Sequence, residues 1–216
     1  MKLHRIYGLL LRFYYNLIHS YDRLGDIFYW PAIDLIIWGL TSVYLKTSNP
    51  ENSSIVLMFV SGLLFWSVIW SSNYEITINM LIDLWDRNMI NLYASPLKFS
   101  EWIATVTIIS IVKAIISISF MALLAFILYQ VNIFYYGFYL IVYIALLIMT
   151  GWWVGFFIGG IILRYGSKMQ FFGWSTVAII SPFSAIYYPL STLPNWAQKI
   201  AVFIPSSYIL CPIWKS

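Results

Sequence analysis

The feature that most constrains this chain is a set of long apolar segments with almost no charge inside them. Five stretches, 27–44, 55–74, 102–129, 134–163 and 171–190, have the apolarity and length to cross a bilayer as helices, which takes about 20 residues. The third and fourth are longer than a span requires, so they tilt or project beyond the hydrocarbon. Only a tight connection around 130–133 separates them. In lipid a lone strand leaves its backbone N–H and C=O groups unbonded, so such runs fold as helices. The chain is 62% hydrophobic and 9% charged, with a mean hydropathy of +0.82, whereas a soluble domain carries about 25% charge. The expected fold is all-α and polytopic. It forms one membrane domain over 1–216, since no internal repeat and no Pro/Gly/Ser linker divides it.

Ahead of the first span, Leu3, Ile6, Tyr7, Leu10, Phe13 and Tyr14 recur at spacings of three and four, opposite Arg5, Arg12, Asn16 and Arg23. This predicts an amphipathic helix over 1–26 with a basic side, suited to lying along a headgroup layer. His4 and His19 read as interfacial polar residues of that helix rather than as metal ligands. With the N-terminus inside, the inner segments hold Lys2, Arg5, Arg12, Arg23, Arg87, Lys98, Arg164 and Lys168, and the outer loops only Lys46 and Lys199. Lys and Arg accumulate on the cytoplasmic side, so the N-terminus is expected there. The net charge of +4 carries no clustered basic stripe, which argues against nucleic acid as a partner.

Between the second and third spans the chain becomes polar. The stretch 83–102 carries Asp83, Asp86, Arg87, Lys98 and Glu101, with Glu75 just before it. A charged island between greasy segments is either a connecting loop or a docking point, and docking over a cytoplasmic segment 75–102 is the reading adopted.

Catalysis has little to work with. Gly160, Gly166, Ser167 and Lys168 superficially resemble a phosphate loop, but five residues separate the glycines, Ser precedes Lys, and an apolar helix rather than a strand leads in. The single cysteine, Cys211, excludes an intramolecular disulfide and any multi-cysteine metal site. Neither a cofactor nor a metal is expected. Asp34 and Lys113 lie inside predicted spans, where each costs on the order of 3 kcal/mol and needs a partner or water. Two readings stay open: each snorkels separately, or the Lys113 stem reaches Asp34. Gly151, Gly155 and Gly159 recur every four residues, a spacing that lets another helix approach closely. Whether that helix belongs to this chain or to a second subunit stays open. Trp66 and Trp70 are either interfacial anchors or the lining of a substrate path.

After the fifth span, Pro189, Pro194 and Pro205 punctuate an expected outer helical element over 191–208. Its predicted packing face is Trp196, Ile200, Ala201 and Ile204.

Taken together, the amphipathic helix leading to YWPAIDLIIWG, the hinge RNMINLYASPLKFSEW and the stretch SPFSAIYYPLSTLPNWAQKIAVFIPSSY make the chain resemble the membrane subunit of ABC-2 type transporters. The resemblance implies a multi-pass permease of an ABC exporter in the plasma or inner membrane. It also implies a homodimer or pseudo-dimer, and a separate ATPase subunit that binds the ATP. It makes 83–93 the coupling element, with Asp83, Asp86, Arg87, Asn88, Asn91 and Tyr93, and 95–101 the turn back into the membrane, with Pro96 and Glu101. Members of that family usually continue into a sixth helix, whereas ILCPIWKS follows here. The expected domain is therefore C-terminally truncated. A non-transporting assembly subunit and a membrane-embedded lipid enzyme are the rival readings.

Overall fold

The computed structural model describes residues 2–48, 55–133, 137, 139–184, 186, 190–202, 204 and 207. Every regular element among them is helical. Among the described residues, four helices are long and apolar enough to cross a membrane.

Helix α1 (Leu3–Ile18) turns Leu9 and Phe13, four residues apart, onto Trp102 and Val106, while Tyr7 and Tyr14 of the predicted apolar face point outward. The helix is shorter than the expected 1–26. The amide of His19 bonds Tyr15 O at 3.1 Å and its Nδ1 donates to the same carbonyl at 2.9 Å. A new helix, α2 (Tyr21–Ser48), starts directly afterwards. Residues 21–26 therefore belong to the first long helix, with Pro31 in its interior. Proline there removes one i→i−4 backbone bond.

Helix α3 (Ile55–Trp85) is the axis of the molecule and packs against α2, α5 (Phe99–Tyr129), α6 (Tyr139–Tyr165) and α7 (Gln170–Ile180). At 31 residues and 1.5 Å per residue it is about 46 Å long. The sequence suggests a membrane exit at residue 74, where Ser71, Ser72, Asn73 and Glu75 interrupt the apolar run. The helix instead continues for another three turns, with Ser72, Asn73 and Glu75 buried inside the bundle, where Asn73 Nδ2 donates to Gly173 O and Glu75 accepts from Asn79. The connecting segment thus begins at Asp86, and it carries the short helix α4 (Met89–Ala94).

Helix α5 starts at Phe99, where Glu101 Oε2 accepts the amide of Lys98 at 3.1 Å. It ends at Gln130, in left-handed conformation with φ 57°. The predicted fifth span, 171–190, is not one helix. Its α7 has 11 residues and passes into a 3-10 turn at Ser181–Phe183, where Pro182 supplies no amide donor. Farther along, α8 (Asn195–Ala201) buries Ala197 and Ala201. Trp196 and Ile200 of the predicted packing face point outward. The stretch 208–216, including the expected point of truncation, lies outside the described residues.

Candidate functional site

The turn leaving α3 explains how the polar segment is held. Asn88 N–H bonds Asp83 O at 2.9 Å and Arg87 N–H bonds Leu84 O at 3.1 Å, with Arg87 at φ 53°. This is the paired closure that ends a helix through one left-handed residue. Arg87 fills the place glycine usually takes. The turn lifts Asp86, Arg87, Asn91 and Pro96 into an exposed crest, with Asn88 half-buried at its base. Tyr93 lies on α4 within that crest.

Asp83 and Glu101 belong beneath the crest, not on it. Both are fully buried. Asp83 accepts the Arg12 guanidinium from α1, Trp102 Nε1 from α5 at 3.1 Å and Asn88 Nδ2 at 3.2 Å. Glu101 accepts the amide of Lys2 at 2.8 Å and lies 3.7 Å from Arg5 Nη1. The Arg5 guanidinium also donates to Pro96 O. The two carboxylates thereby clamp α1, the crest and α5 into one body.

A second polar cluster lies farther along α3. Lys113 Nζ is 2.5 Å from Glu75 Oε2, so its partner is Glu75 and not Asp34, and it does not snorkel alone. Asn79 Nδ2 donates to Glu75 Oε1 at 2.7 Å, and Arg23 Nη2 donates to Asn79 Oδ1 at 2.5 Å. Arg23 Nη1 also faces Glu75 at 3.9 Å. These groups are buried among α2, α3 and α5, and Asp26 bonds Tyr74 at the edge of the cluster. Arg23, Lys113 and Glu75 thus meet within one membrane helix bundle, with Asp26 beside them.

Asp34 has a different setting. It faces a cavity of about 850 Å³ between α2, α3 and α7, whose walls include Trp30, Trp66, Trp70, Tyr74 and Ser71. None of the four ion pairs among the described residues includes it. Trp66 and Trp70 both line this cavity.

The three spaced glycines pack on α3 of the same chain. A Cβ on Gly151 would come 2.8 Å from Ile69 O and 2.7 Å from Ser72 Cβ, and one on Gly155 would come 3.2 Å from Asn73 O. One on Gly159 would meet only the flexible Met80 Sδ, at 2.6 Å. Close helix contact of this kind requires small residues.

The model of the family described as ABC-2 type transporter matches residues 16–211. The chain belongs to that family. Comparison with curated proteins gave no match. As an ABC-2 membrane domain it is a multi-pass, non-catalytic transmembrane component of a transporter, and the family works in general with an ABC ATPase subunit. The sequence did not reveal the buried roles of Arg12, Arg23, Glu75 and Asn79 in ordering this ABC-2 domain. The available signal was Glu75 and Asn79, one helical turn apart, a spacing that places both on one face of a continuing helix.

Proposed function

We propose that this chain is the permease subunit of an ABC exporter, working as a homodimer or pseudo-dimer with a separate ATPase subunit that binds the ATP. Its place is the plasma or inner membrane, with the N-terminus cytoplasmic, as the eight-to-two Lys/Arg bias supports. The observation that carries the reading is the exposed crest of Asp86, Arg87, Asn91 and Pro96, clamped through Asp83 and Glu101 to α1 and α5. A partner that moves the crest moves two helices with it, because three elements share buried charge pairs. ATP binding draws the two ATPase subunits together, and the clamped crests convert that motion into opening of an outward path along α2, α3 and α7.

The reading is tested by placing cysteine at Arg87 or Asn91 in a Cys211→Ser background. Both positions are expected to crosslink to the ATPase partner, and partner binding is expected to protect them from a water-soluble thiol reagent. Free labelling with and without the partner overturns the docking assignment.

A further inference from the structure

The cavity beside Asp34 gives this permease reading a substrate class. Asp34 sits at the middle of α2, 13 residues from Tyr21 and 14 from Ser48. At 1.5 Å per residue that is about 20 Å from either helix end, so a lone carboxylate there is far from headgroup water. A charge at such depth is a functional site by default and faces a partner or a water-filled cavity. The local charges do not supply the partner. Arg23 also lines the cavity, but its Nη2 donates to Asn79 and its Nη1 lies 3.9 Å from Glu75, and Lys113 bonds Glu75. Asp26, which also lines the cavity, bonds Tyr74 through one oxygen and leaves Oδ2 buried without a hydrogen bond. Asp22 adds a third carboxylate on the same wall.

Aromatic rings complete the wall. Trp30 stands one helical turn from Asp34 on α2, and Trp66 and Trp70 stand one turn apart on α3. Indole faces attract cations, more strongly where water is excluded, and flat rings also accept an apolar body. A volume of about 850 Å³ falls within the range of small-molecule pockets. The wall therefore offers three carboxylates against the one guanidinium of Arg23, together with ring faces and a few hydroxyls such as Ser67 and Ser71.

We propose that the cavity between α2, α3 and α7 binds an amphipathic organic cation, with Asp34 as its counter-ion and the indoles of Trp30, Trp66 and Trp70 around it. This rests on the permease reading for its purpose but not for its measurement, which needs neither ATP nor the partner.

The probe is radiolabelled tetraphenylphosphonium, which carries a fixed charge, set against tetraphenylborate, which has nearly the same shape and the opposite charge. Binding is measured on the full chain in neutral detergent. The cation is expected to bind saturably, and tetraphenylborate to compete poorly. Asp34→Asn is expected to weaken the cation by about tenfold, the factor that ~1.4 kcal/mol carries, while keeping the wild-type gel-filtration profile. Asp34→Glu, which keeps the charge, is expected to retain most of the affinity. Equal binding by wild type and Asp34→Asn overturns the proposal, as does equal competition by the borate. Such a failure leaves crosslinking at Arg87 and Asn91 untouched. Failed crosslinking likewise leaves the binding result standing.

Discussion

The acids Glu75, Asp83 and Glu101 and the acid Asp34 all lie on long membrane helices, yet their surroundings differ in kind. Each of the first three is buried and met by a cation and further donors from other elements. Asp34 has neither and opens onto an aromatic cavity. Burying an unpaired charge costs far more than burying a bonded one. The clasped acids therefore hold helices together, whereas Asp34 stays unpaired only where a cavity can bring it a solvent or a ligand. The same chemical group marks a joint in one place and an open face in the other.

Substitutions that exchange these roles test the comparison. The largest effect is expected at Glu75→Ala, which strands Lys113 and weakens the hold on Arg23. It should destabilise the chain by about 3–5 kcal/mol, read as a fall in thermal midpoint by gel filtration in detergent. Pairing it with Lys113→Met should recover part of the loss, and no recovery would show that the pair is not the cause. Asp83→Asn comes next, with about 1.5–3 kcal/mol lost as charge-assisted bonds to Arg12 and Trp102 weaken. It should also reduce partner-stimulated ATP hydrolysis. Gly151→Val should cost about 1–3 kcal/mol by pushing on Ile69 O and Ser72. The same change at Gly160, which has open space around it, should cost less than at Gly151. The smallest effect is expected at Asp34→Asn, within about 0.5 kcal/mol of wild type or slightly stabilising. A loss as large as that of Glu75→Ala would mean that Asp34 is a joint after all.

Much of the helical frame was legible, because apolar runs of spanning length leave few alternatives in lipid. The errors fell where a side chain's partner comes from far along the sequence. The polar run Ser71 to Glu75 reads as a membrane exit until Lys113, 38 residues on, is seen to bond Glu75. Nothing local in the sequence links Lys113 to Glu75 rather than to Asp34. The glycine spacing on α6 announced a close contact but could not name α3 as its partner. The fifth span departs for a local reason: Pro182 lies inside it, and the helix ends at Ile180 and passes into a 3-10 turn there. At the crest, composition marked the right neighbourhood. Burial then divided it, with Asp83 and Glu101 inside and Asp86, Arg87 and Asn91 outside.

The polar cluster on α3 also imposes a timetable on biosynthesis. Arg23 is made first, Glu75 and Asn79 follow with α3, and Lys113 arrives only with α5. Until α3 emerges, Arg23 lacks Glu75 and has only carboxylates of its own helix, such as Asp26, nearby, and until α5 emerges Glu75 lacks Lys113. The three helices are therefore expected to settle in lipid as a group rather than one by one. Ribosome-bound chains halted before residue 113 should leave α2 and α3 more readily extracted by alkali than chains halted after 129. Equal resistance at both lengths would mean that each helix settles as it is made.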